Sequence, residues 1–129
     1  MNILLALLPL CLASACAALP NGASPTADGS LVQLGIGQST LLANNSLLTY
    51  TRLVNDSRCA PDVQCVWEGD AEIAVRWQAA GGGGAQDVRL HTSARGGPTS
   101  ARVGNRSVTL AALERGVAPK ATLRIDKAN

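Results

Sequence analysis

Between Cys65 and Trp77 the chain alternates with a period of two. Cys65, Trp67, Ala71, Ile73, Val75 and Trp77 take odd positions, and Glu68, Asp70, Glu72 and Arg76 lie between them. A strand sends successive side chains to opposite faces, which a helix does not. One apolar face and one charged face therefore predict a half-buried antiparallel strand, with Gly69 as a bulge or bend inside it. On that parity Cys65 and Trp67 share the core face with Ile73 and Val75. A bond at Cys65 would then be packed at the end of a sheet, with the indole beside it.

The same period recurs along the chain. Val32, Leu34 and Ile36 share one parity. The run from Leu47 to Val54 is rich in β-branched and aromatic residues and reads as a strand, although its pattern does not settle which face is buried. Gly81–Gly84 is a run of glycines suited to a hairpin loop, and a return strand follows in QDVRLHT, with Val88 and Leu90 inward and Arg89 and His91 outward. Residues 93–104 read as a long loop. A further strand is expected at Ser107–Leu110 and a short turn between Leu113 and Lys120. The last strand turns Ala121, Leu123 and Ile125 inward.

No segment has a strong helical period, and turn residues separate the short strands. The expected fold is all-β, a small antiparallel β-sandwich or barrel with one local disulfide, occupying residues 31–129 as a single domain. Phe is absent, and Tyr50, Trp67 and Trp77 are the aromatic residues. Leu, Val, Ile and Ala must fill the core, so the two Trp rings are expected to carry a disproportionate share of buried area.

The opening residues carry no charged side chain. The apolar run Ile3–Ala13 is shorter than the roughly 20 residues a bilayer span needs. It matches a secretory signal peptide over residues 1–15. Ala13-Ser14-Ala15-Cys16 fits two kinds of cleavage. Small residues at 13 and 15 suit an ordinary signal peptidase. The same four residues resemble a bacterial lipobox, in which Cys16 becomes the lipidated first residue and its acyl chains anchor the protein. Residues 16–30 are small, polar and rich in Pro and Gly, and read as a flexible tether. The expected location is the cell envelope, lipid-anchored and facing the periplasm or the outside. The alternative is a secreted soluble protein.

Of four cysteines, Cys11 leaves with the signal peptide and Cys16 is capped by lipid. Cys59 and Cys65 remain as an even pair in an oxidising compartment. A disulfide between them is expected, in a loop stiffened by Pro61 and turned by Ser57 and Asp62. Structural zinc prefers shorter cysteine spacing and more ligands than one histidine supplies. A redox pair needs C-x-x-C. The carboxylates Asp56, Asp62, Glu68 and Asp70 lack the EF-hand calcium pattern. No metal and no cofactor are expected.

The run from Asp56 to Trp77 resembles a group of small exported bacterial proteins and lipoproteins with a D-S-R-C-P…C-[VI]-W-x-G motif. The matching residues are Asp56, Ser57, Arg58, Cys59, Cys65, Val66, Trp67 and Gly69. Ala60 departs from the pattern, and Pro61 follows one place later. The resemblance implies an exported β domain and carries no activity.

A formal charge of +2 and the lack of any Lys/Arg-rich run argue against nucleic acid. The expected role is non-enzymatic binding or structure in the envelope. The expected partners are the membrane, through the N-terminal lipid, and an envelope protein. Asp56, Arg58, Asp62 and Trp67 form the candidate binding loop, and the domain is expected to be monomeric. One alternative is a small inhibitor of a secreted or periplasmic hydrolase, since stapled loops are preorganised for contact. The other is an enzyme using His91, the one histidine and so the one ordinary base near neutral pH. No nucleophile motif accompanies it.

Overall fold

A computed structural model describes residues 24–128. The expected signal peptide, the expected lipidation residue Cys16 and the expected tether up to residue 23 lie outside the described residues. Eight strands are described: β1 Ser30–Leu34, β2 Ser39–Leu41, β3 Leu47–Asp56, β4 Ala71–Gln78, β5 Ala85–His91, β6 Ser100–Val103, β7 Arg106–Leu113 and β8 Ala121–Lys127. They build two four-stranded antiparallel sheets, ordered β1-β8-β7-β6 and β2-β3-β4-β5. This is the expected all-β architecture with its local disulfide. Among the described residues no helix is long and apolar enough to cross a membrane.

The core lies between the sheets. Ile73 and Val75 of β4, Val108 and Leu110 of β7, and Leu123 and Ile125 of β8 all point into it, as period two requires. Tyr50 is its largest fully buried side chain, and its hydroxyl donates to the Pro119 carbonyl at 3.1 Å. Trp77 is only half-buried and Trp67 is exposed, so the expected dominance of the two Trp rings is corrected in favour of the tyrosine. Trp77 packs against Gly104, whose φ of 58° and contact with the indole leave no room for a Cβ.

Two bulges explain why the buried face of β3 could not be read. Leu48 and Tyr50 point inward at even positions. The pairing with β4 then slips at Thr51 and again at Val54, and Leu53 takes up the inward side at an odd position. An extra residue in one strand reverses the parity beyond it.

Other expectations are corrected at the strand ends. The long loop expected over 93–104 contains β6, which pairs with β7 from Ser100↔Thr109 to Val103↔Arg106. The short strand β2 was not anticipated. Ile36 falls in the turn after β1 and is exposed. That turn crosses to the second sheet, where the Gly37 N–H donates to Tyr50 O at 2.6 Å. The last residues of the segment expected to be a tether are structured. Thr26 bridges Leu42, and Asp28 Oδ1 lies 2.7 Å from Arg106 Nε, a close charge pair off-axis for a hydrogen bond. Residues 26–30 therefore belong to the β domain.

Candidate functional site

The pairing of β3 with β4 continues past the sheet as a narrow ribbon. Ser57 N donates to Asp70 O and Cys59 N to Glu68 O, both at 2.8 Å. Gly69 makes this approach possible. Its φ is 78°, and a Cβ there would collide with the Ser57 carbonyl oxygen. The same glycine breaks the odd–even rule. The strand begins at Ala71 rather than Cys65, so Cys65 and Trp67 do not reach the core face. The packed disulfide read from the alternation is corrected: Cys65 is exposed at the ribbon's tip.

Cys59 and Cys65 are joined there, with their Cα atoms 6.0 Å apart. Closing so short a loop removes about 2 kcal/mol of chain entropy from the unfolded state. Pro61, Asp62 and Val63 lie inside the closed loop and are exposed. Val66 is fully exposed and Trp67 is 41 % exposed. The Arg95 guanidinium, from the β5–β6 loop, sits 5.7 Å from the centre of the Trp67 ring. That separation is within cation–π range and holds the indole in place without covering it. Val66, Trp67 and Arg95 line a shallow recess.

Asp56 and Arg58, placed in the same candidate loop, turn away from the tip. Arg58 donates to both Asp56 carboxylate oxygens, from Nε at 2.9 Å and Nη2 at 2.7 Å. It also reaches across to the first sheet, donating to Leu113 O and Glu114 O at 2.7 Å each. The hydrogen bond from Arg58 holds the Asp56 carboxyl below its ordinary range and raises the guanidinium in turn. Arg115 Nη1 donates back to Cys59 O at 2.8 Å. These bonds fasten the ribbon to the β7–β8 loop. Asp62 joins neither group and sits in the closed loop in water.

A second cluster lies at the base of the ribbon, where β4 begins and β5 ends. His91 was expected as a lone outward residue. The structure corrects this: its Nδ1 is 2.6 Å from Asp70 Oδ2, and both side chains are only 13 % exposed. Asp70 Oδ1 accepts from Ser93 N at 2.9 Å and from Thr92 Oγ1 at 3.3 Å. Burial works to raise the Asp70 carboxyl, but the bonds and charge from His91, Ser93 and Thr92 outweigh it and hold it below the usual carboxylate range. Gly96 lies against Asp70 and Gly97 against the His91 ring, each too close for a Cβ. Gly97 therefore covers the ring, and Glu72 Oε1 stands 3.9 Å from Nε2. A histidine oriented by an aspartate is the base half of a hydrolytic triad. Among the described residues no hydroxyl or thiol is bonded to its Nε2, and no cluster of His, Cys, Asp and Glu could hold a metal ion.

The Asp70–His91 contact was missed because His91 was placed by strand parity alone. A signal existed. The glycine loop sets a hairpin pairing Gln78 with Ala85, and that register runs back without a slip to Glu72↔His91. Two residues further along that register, Asp70 falls opposite Ser93 and diagonal to His91, within reach of long side chains.

No protein-family model, curated protein or solved structure matches this chain.

Proposed function

We propose that this is an exported, non-enzymatic protein of the bacterial cell envelope, anchored by a lipid on Cys16, that binds a protein partner with its disulfide end. The observation that carries this reading is the rigid presentation of Val66 and Trp67. The disulfide, Arg95 and the Arg58 clamp all restrain the ribbon, yet both apolar side chains stay in water. Tryptophan and arginine are among the residues that most often anchor interfaces. Nothing in the packing of the sandwich requires either side chain to be apolar.

The position of the tip supports the same reading. Thr26 joins the domain beside Leu42, near the Leu47 end of β3. The ribbon leaves from the Asp56 end, one strand length of about 30 Å away. A lipid tether entering at Thr26 would hold the tip away from its own membrane. A projecting closed loop would also suit the second reading, an inhibitor that plugs a hydrolase cleft.

The test uses the mature chain. Intact mass should show acylation at Cys16 and the loss of two hydrogens at Cys59–Cys65. Crosslinking in envelope extracts should yield one dominant partner, lost in Trp67→Ala while the denaturation midpoint is kept. A dominant hydrolase would select the inhibitor reading. An unacylated Cys16 would refute the anchor, and a capture pattern indifferent to Trp67→Ala would refute the tip.

A further inference from the structure

The outer face of the β2-β3-β4-β5 sheet carries a basic pit that the disulfide end does not use. We infer that it is a binding site for a phosphate-type oxyanion. The register builds it. Arg52 of β3 pairs with Ala74 of β4, which pairs with Arg89 of β5. Two arginines thus flank an alanine in one row across three strands. In the next row Arg76 pairs with Asp87. Together with Thr51 and Val88 these residues enclose about 350 Å³.

A charged sheet face in water needs no ligand in general. Three features set this one apart. First, the floor is a single methyl group: Ala74 faces outward yet is only 8 % exposed, because the long arms around it rise above it. Second, the bulge at Thr51 creates the wall. It sends the Thr51 hydroxyl to Ala74 O at 3.0 Å and turns Arg52 onto the same face as Ala74. Bulges commonly re-aim a side chain in this way. Third, the charges do not cancel. Arg89 donates to Glu72 at 3.1 Å, and Arg76 reaches Asp87 only at 3.3 Å. Among the described residues Arg52 makes no ion pair and no side-chain hydrogen bond. Three guanidiniums thus stand against two carboxylates, Glu72 and Asp87, of which Asp87 lines the pit, and the charge of Arg52 is left in excess.

Guanidinium forks match tetrahedral oxyanions, and several around one small floor can hold a phosphate through paired donors. The phosphate can be a free ion or the headgroup of an anionic lipid. The chemistry at the pit is the same, and the source is settled by the probe.

The test titrates inorganic phosphate into the isotope-labelled mature chain and follows the amides of Thr51, Ala74, Arg76 and Val88. A parallel arm measures binding to phosphatidylglycerol vesicles against phosphatidylcholine vesicles. We expect saturable shifts confined to the pit, or vesicle binding that needs the anionic lipid. Arg52→Ala should weaken either by about tenfold or more. Ala74→Leu should fill the floor and abolish binding with no change in charge, while Arg124→Ala on the other sheet should leave it unaltered. Phosphate shifts alone identify a free anion, and vesicle binding alone identifies a headgroup. Lack of response to both probes overturns the site. So does an Arg124→Ala loss equal to that of Arg52→Ala, or wild-type binding by a folded Ala74→Leu chain.

Discussion

Arg58→Ala tests the clamp that joins the ribbon to the first sheet. In sequence, Arg58 beside Asp56 reads as a local surface pair, and such pairs contribute about 1 kcal/mol or less. The structure gives it a larger role. Its side chain is only 10 % exposed, and it makes two bonds to Asp56 and two to carbonyls fifty-five and fifty-six residues away in the chain. Hydrogen bonds from a charged donor contribute about 1.5–3 kcal/mol each, and breaking a fully buried pair costs about 3–5 kcal/mol. Water can reach Asp56 and the Glu114 carbonyl once the arm is gone, which discounts the total. We expect Arg58→Ala to cost about 2–3 kcal/mol, or about 10 °C in Tm for a domain of roughly a hundred residues.

Asp56→Ala should cost only about 1 kcal/mol, because Arg58 keeps both carbonyl bonds. Urea titration of the oxidised single and double variants measures each loss and their coupling. Hydrogen exchange at Glu114 and neighbouring amides should accelerate in Arg58→Ala alone. If Arg58→Ala lies within 1 kcal/mol of the parent chain, or if Asp56→Ala costs as much, the reach across to the first sheet contributes nothing and the reasoning fails.

Gly69→Ala combines a left-handed backbone penalty with a collision against Ser57, so it should destabilise by about 2–4 kcal/mol, measured as a fall in the urea midpoint. A midpoint unchanged by that substitution would place the ribbon elsewhere. Acid should unfold the domain partly through Asp56 and Asp70. Both carboxyls are held low in the folded chain, Asp56 by its bond from Arg58 and Asp70 by bonds that overcome its burial. Above the unfolded-state value of about 4 their stabilisation is present in full. As pH falls through the folded values the unfolded chain takes up protons first, and the stabilisation is lost. Midpoints measured from pH 5 down to pH 2 should decline, and Asp70→Asn should flatten that decline; equal slopes would remove Asp70 from the account.

The parts of the fold that sequence reveals are those where period two runs unbroken. β4 from Ala71 to Trp77 and β8 from Ala121 to Ile125 contain no bulge within their inward sets, so parity alone assigns Ile73, Val75, Leu123 and Ile125 to the core. Parity fails wherever one residue is inserted or the backbone reverses its hand. Gly69 separates Trp67 from Ile73, and the inference that they share a face fails at that glycine. Thr51 does the same to β3. β6 shows too little period to detect, since four residues between Gly- and Pro-rich loops give only Ala101 and Val103 as an inward pair.

The functional features follow the same physical division. Disulfide pairing was legible because the expectation of an oxidising compartment and the number of cysteines do not depend on register. The Asp70–His91 contact needed a register, and the glycine hairpin supplied one that runs unbroken from Gln78↔Ala85. The basic pit needed more. Arg52 stands opposite Ala74 only because a bulge precedes it, and without the slip Thr51 would stand there instead. A one-residue insertion thus decides whether the alanine floor faces a threonine or a guanidinium. Chemistry written in residue type could be read directly, whereas chemistry written in strand alignment required the bulges to be located first.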